Sequence, residues 1–332
     1  MYQEILRDLK NKIYKPIYFL MGEEPYFIDN ITDYIADNVL TDAEKTFNQM
    51  VLYGKDTDIA TVINTAKRFP MMANYQVVIV KEAQNLKNID DLIYYAEKPL
   101  KSTVLVINYK YKKLDKRKKL FNALSEHAVL FDSARLYDAK IPGWVTGYLK
   151  ERSRSIEPSA VMMLVEFLGN DLGKIVNELD KLLLMVPENV NLITPDHIEK
   201  NIGISKEYNN FELHKALAQK NVLKANRIIH YFAKNSGSNP IVLTITSLYY
   251  FFSKVLIFHF LKDKSRKNAA AALRVSPFFM ADYELAAKKY TPRKVVDIIS
   301  FLREYDLKSK GMGNVSASQG DLLKEMVFKI LH

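Results

Sequence analysis

PIYFLMGEEPYFID (residues 16–29) joins a short apolar run, rich in aromatic and β-branched residues, to a glycine and then to a segment of helical spacing. The run predicts a buried strand closing at Gly22. The helix that follows carries Phe27, Ile28, Ile31, Ile35 and Val39 as its apolar stripe. Working outward, the same alternation recurs. QMVLYG (49–54), QVVIVKEA (76–83), STVLVINY (102–109) and AVLFD (128–132) read as strands. Segments 2–11, 58–69, 90–99 and 119–127 read as helices, the second of these stopping ahead of Pro70. Strands apolar on both faces and separated by helices imply a mostly parallel sheet covered on both sides. This pattern ends near residue 135, and no strand is expected beyond it.

A strand, a glycine and a helix in that order invite a nucleotide-binding reading. A phosphate loop needs G-x-x-x-x-G-K-[ST], so that backbone amides and a lysine cradle the phosphates while a hydroxyl meets magnesium. GEEPYFID (22–29) has one glycine, no lysine and no following hydroxyl, and it sets Glu23 and Glu24 where phosphates would lie. The end of the Val77–Val80 strand reads KEAQ, in which Glu82 lacks the preceding aspartate of a metal-holding pair. The scaffold is ATPase-like without its site, and no cofactor is expected. The six histidines (127, 197, 214, 230, 259, 332) have no paired ligand spacing, and no nucleophile elbow is present. With no cysteine in 332 residues, disulfides, cysteine-held metals and thiol catalysis are excluded. No intrinsic catalysis is expected.

From residue 141 the spacing is helical, dividing into a small set at 141–203 and a larger one from Phe211 to the end. The amino terminus has no export pattern. Residues 241–261 are long and apolar, but Lys254 and His259 interrupt them, so they read as a buried helix rather than a membrane span. A cytoplasmic protein is expected. Lysine and arginine total 48 against 38 acids, a net charge of +10. The excess concentrates in two places. Residues 110–119 hold Lys110, Lys112, Lys113, Lys116, Arg117, Lys118 and Lys119 with one acid, and 262–294 hold nine basic residues against three acids. Such density either attracts a phosphate backbone or an acidic protein, or keeps a solvated surface soluble.

Between Phe69 and the Val77 strand lies PMMANY (70–75). Met71 and Met72 either pack back onto the sheet or form an exposed apolar plug for a partner's pocket, a role suited to an unbranched, adaptable side chain.

Over essentially its whole length the chain resembles the delta-subunit family of bacterial DNA polymerase III clamp loaders. The resemblance runs through PIYFLMGEEPYFID, FPMMANYQVVIVKEA (69–83), GNDLGKIVNELDKL (169–182), ITPDHIEK (193–200), FELHKALAQKN (211–221) and LRVSPFFMADYELAAKKYTPRKVVDIISFLREYDLKSKG (273–311). It implies an AAA+-like architecture derived from P-loop NTPases: an α/β domain at 1–140, a small helical lid at 141–205 and an all-α collar at 206–332. It further implies a non-catalytic subunit of the polymerase holoenzyme that binds the beta sliding clamp and holds its ring open. Its other partners would be the ATPase gamma/tau and delta prime subunits, met through the collar, and primer–template DNA, with no membrane. In the family an apolar pair, usually leucine and phenylalanine, makes the main clamp contact. By position it is Met71 and Met72 here, with Phe69, Pro70, Asn74 and Tyr75 around it. The basic stretch 110–119 carries no family residue identity, and its link to DNA rests on charge. The competing expectation is a stand-alone nucleic-acid-binding protein that uses both basic stretches.

Overall fold

The protein is described by a computed structural model covering residues 1–205, 207–314 and 316–332. The chain divides into two units, 1–136 and 137–332. The expected boundary between 205 and 206 falls on a residue outside those described.

The first unit runs α1 (Tyr2–Lys10), β1 (Ile17–Gly22), α2 (Pro25–Asn38), α3 (Asp42–Asn48), β2 (Gln49–Tyr53), α4 (Ile59–Ala66), β3 (Gln76–Lys81), α5 (Ile93–Ala96), β4 (Thr103–Lys110), α6 (Lys119–His127) and β5 (Val129–Ser133). The strands form one parallel sheet in the order β2-β3-β4-β1-β5. Register follows the two-residue period. Phe19 sits between Ile107 and Leu130, and Ile17, Phe19, Val78, Val80, Leu105 and Ile107 point to one face with α4 and α6. Tyr18, Leu20, Val77, Ile79, Val104 and Val106 point to the other face, against α1 and α2. Both faces are dry, which is why these strands read as continuous apolar runs. β2 differs. It is an edge strand, and Met50, Val51 and Tyr53 are exposed on it.

Two details depart from the sequence reading of this unit. Helix α3 was not expected. It has no apolar stripe and rests on a capping box, in which the Thr41 side chain accepts from Glu44 N and Glu44 accepts from Thr41 N. Helix α4 ends at Ala66 and not at residue 69, because side chains from neighbouring strands take its last carbonyls.

The second unit contains α7 (Ile141–Lys150), β6 (Ser155–Ile156), α8 (Pro158–Leu168), α9 (Leu172–Met185), β7 (Leu192–Ile193), α10 (Pro195–Ile202), α11 (Asn210–Ala218), α12 (Val222–Lys234), α13 (Ile241–Phe260), α14 (Arg266–Leu273), α15 (Met280–Lys289), α16 (Pro292–Ser309) and α17 (Gln319–Leu331). The expectation of no strand beyond 135 is corrected by the parallel β6–β7 pair, Ser155 opposite Leu192 and Ile156 opposite Ile193. Two-residue strands are too short to show a period.

Helix α13 carries Ile241, Ile245, Leu248, Phe252 and Val255 into a core shared with α11, α12, α15, α16 and α17. Nε2 of His259, one of its two polar interruptions, meets the Tyr290 carbonyl at 2.9 Å. The expectation of a buried helix holds for one face only. Leu243, Tyr250, Ile257 and Phe260 lie exposed on the other.

Candidate functional site

The carboxyl ends of the strands in an open parallel sheet are its usual ligand edge. Here that edge is occupied by the chain itself. Gly22, at φ +125°, is so close to β5 that a Cβ would lie 2.3 Å from the Ser133 carbonyl oxygen. Its N–H donates to Lys112 O (3.1 Å) and its carbonyl accepts from Tyr111 N (2.8 Å). Glu24 N donates to Ser133 O (3.1 Å), and Ser133 Oγ donates to Glu24 O (2.6 Å). The Glu24 side chain is buried and accepts from Tyr26 N (3.2 Å), so a carboxylate already stands at the N-terminus of α2. A helix N-terminus is where a phosphate would bind. Glu82, at the end of β3, accepts locally from Asn85 Nδ2 (3.2 Å). No cluster of metal-ligating side chains occurs among the described residues.

The basic stretch 110–119 follows β4 on this same edge, and much of its charge is paired. Lys110 meets Asp29 (2.6 Å), Lys113 meets Asp132 (2.9 Å), Lys118 meets Asp90 (2.5 Å), and Arg117 forms a two-oxygen bridge to Asp115. The Asp132 and Asp90 carboxylates hold Lys113 and Lys118 above the ordinary lysine pKa. Lys112 Nζ donates to Gln84 O (3.2 Å). Lys116 and Lys119 are exposed and have no ion pair among the described residues. A stretch that reads as strongly basic in sequence thus presents much less net charge.

The opposite edge is built differently. Residues at the starts of three adjacent strands tie down the segment between α4 and β3. Asn48, just before β2, is buried. Its Oδ1 accepts from Met71 N (2.6 Å) and its Nδ2 donates to Met71 O (3.0 Å) and Glu44 O (3.1 Å). Gln76 opens β3, and its Nε2 lies within hydrogen-bonding reach of the carbonyls of Thr65 (3.2 Å), Ala66 (3.2 Å) and Arg68. Thr103 opens β4. Its Oγ1 donates to Ala66 O (2.8 Å) and receives from Gln76 Nε2 (2.8 Å). Tyr95 OH adds a longer bond to Ala66 O (3.3 Å). The last carbonyls of a helix have no partner within it, so these side chains satisfy groups that would otherwise be orphaned.

On this fixed stem the apolar side chains point outward. Relative exposure is 76% at Phe69, 64% at Met71 and 102% at Met72. Met72 takes φ +54°, a left-handed conformation that costs a non-glycine residue roughly 1 kcal/mol. Of the two alternatives for the methionine pair, the structure shows the exposed one. Asn74 is also exposed and Pro70 half-buried. Tyr75 belongs to the stem, with its ring edge-on to Tyr14 at 5.3 Å. Sequence reading did not anticipate two contributors, Asn48 and the adjoining Phe47, which is 71% exposed. Only the capping box of α3 pointed toward them.

Residues 18–134 match the family model described as DNA polymerase III, delta subunit. The chain is 25% identical over 319 residues to the DNA polymerase III subunit delta of Bacillus subtilis, a match covering 92% of this chain and 91% of that one. It is also similar in structure to the Bacillus subtilis DNA clamp loader delta protein. That match has a TM-score of 0.58 and 24% identity, and covers 100% of this chain and 99% of the other.

Proposed function

We propose that this chain, similar to the DNA polymerase III subunit delta of Bacillus subtilis over 92% of its length and matching the delta-subunit family model over residues 18–134, is the non-catalytic clamp-loader subunit that grips the beta sliding clamp through Met71 and Met72. One observation carries the reading: two adjacent methionines stand exposed on a backbone that Asn48, Gln76 and Thr103 hold in place. Phe69, Pro70, Asn74 and Tyr75 frame the contact. Exposed apolar side chains on an ordered backbone suit a protein pocket, because burying them gains free energy with little ordering to offset it.

The chain opens the ring only if it binds the open or strained clamp more tightly than the closed one, since a ligand shifts an equilibrium by its differential affinity. Energy from ATP then enters through the gamma/tau and delta prime subunits, consistent with the self-occupied turn at Gly22–Tyr26. The proposed division is a clamp-binding domain at 1–140, a lid at 141–205 and a collar at 206–332. The collar's contact with its neighbours is supported by Leu243, Tyr250 and Ile257, an exposed stripe of seven-residue spacing on α13. A cytoplasmic location and primer–template DNA within the assembled loader complete the proposal. The stand-alone nucleic-acid-binding alternative draws less support, because four of the seven cations in 110–119 already face carboxylates.

Capture of purified clamp on the immobilised full chain, without DNA, tests the reading. Met71→Ala with Met72→Ala should weaken capture at least tenfold, about 1.4 kcal/mol, at unchanged melting temperature. Unchanged capture would remove the tip from the interface.

A further inference from the structure

The methionines of this cysteine-free chain divide by burial. Met21, Met163, Met280 and Met326 lie inside the molecule, and Met21 Sδ is in use there, accepting from Leu114 N at 3.4 Å. Met71 and Met72 are the opposite case. Both side chains stand in solvent, Met72 completely. The hydrogen bonds that hold the segment run from Asn48 to the Met71 main chain and do not involve either thioether.

In a chain without thiols, an exposed thioether is a ready target for a peroxide. The sulfur lone pair attacks one peroxide oxygen, the O–O bond breaks, and that oxygen's proton passes to the departing hydroxide. An S–O bond has formed, the sulfur is oxidised by two electrons, and the peroxide is reduced to water. The product is a polar sulfoxide in place of an apolar side chain. Its oxygen carries a hydrogen-bond acceptor into whatever pocket receives the side chain, and burial without a donor is unfavourable. The Asn48 tie is untouched by this change, so the loop keeps its form and loses only its apolar character.

We propose that Met71 and Met72 form a peroxide-sensitive modification site, at which sulfoxide formation reversibly releases the chain from its partner. The inference rests on the clamp-binding reading and adds a chemical control to it. Reversal consumes two thiols: the sulfoxide oxygen leaves as water and the thiols become a disulfide.

The full chain treated with hydrogen peroxide, freed of oxidant and then offered untreated clamp tests the proposal, with oxygen uptake located by mass spectrometry of the tryptic peptide 69–81. That peptide should gain oxygen well before those carrying Met280 and Met326. Capture should fall at least tenfold at unchanged melting temperature, and methionine sulfoxide reductases of both epimer specificities with a thiol reductant should restore it. Met71→Leu with Met72→Leu keeps the apolar bulk and cannot take up oxygen. This variant should capture clamp and go on doing so after the same treatment, although Met50, Met185 and Met312 remain exposed to oxidant. Full capture by wild type with both tip methionines oxidised would overturn the proposal. So would an equal loss of capture in the treated leucine variant, which would place the sensitive group elsewhere. Wild-type capture by untreated Met71→Ala with Met72→Ala would remove the clamp reading and this inference with it. Oxidation without loss, in a chain whose capture depends on those methionines, overturns this inference alone.

Discussion

The two edges of the parallel sheet make a direct contrast. At the carboxyl edge, Gly22, Glu24, Tyr111, Lys112 and Ser133 bond to one another, and the backbone groups a phosphate loop would present are used up internally. At the amino edge, Asn48, Gln76 and Thr103 bond to backbone and push side chains outward. The first edge has closed on itself. The second has become a platform. A parallel sheet can therefore close one edge and present side chains at the other by spending polar side chains on its own main chain, with no change in strand order.

The contrast can be broken from either side. The largest effect is expected at the closed edge. Gly22→Ala drives a methyl into the Ser133 carbonyl at a positive φ, and should destabilise the first unit by about 3 kcal/mol or more, read as a lowered denaturation midpoint. A midpoint within error of wild type would mean that the edge is looser than described. Next comes Gln76→Ala, which removes the side-chain donor of the Arg68 carbonyl just past α4 and one of the donors to Ala66 O; a loss of about 2 kcal/mol is expected, together with weaker clamp capture.

Asn48→Ala should cost less in stability, about 1–2 kcal/mol, but should reduce capture several-fold by releasing Met71. If capture is unaffected, the backbone tie is not what presents the tip. The smallest stability effect belongs to Met72→Gly. Glycine accepts φ +54° without strain, so stability should stay within about 0.5 kcal/mol, while capture falls because the side chain is gone. That variant separates the side chain from the shape of the loop.

Much of this contrast was legible in residue order. The continuous apolar runs PIYFLMG and QVVIVK marked strands buried on both faces, and the missing lysine and hydroxyl of GEEPYFID, with its two acids, argued against a phosphate loop. Pro70 and the two methionines located the tip. The stem was not legible, because it joins residues far apart in the chain: Asn48 to Met71, and Thr103 to Ala66. A lone asparagine or glutamine beside a strand looks like ordinary turn chemistry until the neighbouring strand is in place. The pairing within 110–119 was hidden for the same reason, since Asp29, Asp90 and Asp132 lie outside the stretch. Helix α13 matched the composition of a buried helix, and composition cannot show that only one of its faces is covered.

The bonds from Asn48 to both polar groups of Met71 have a kinetic consequence. A tip whose main chain is already ordered needs no folding step before it can dock, so encounter with a partner should be governed by diffusion and orientation. Substitutions that keep the tie but trim the side chains should then act chiefly on how long the complex lasts. Those that cut the tie should slow its formation as well.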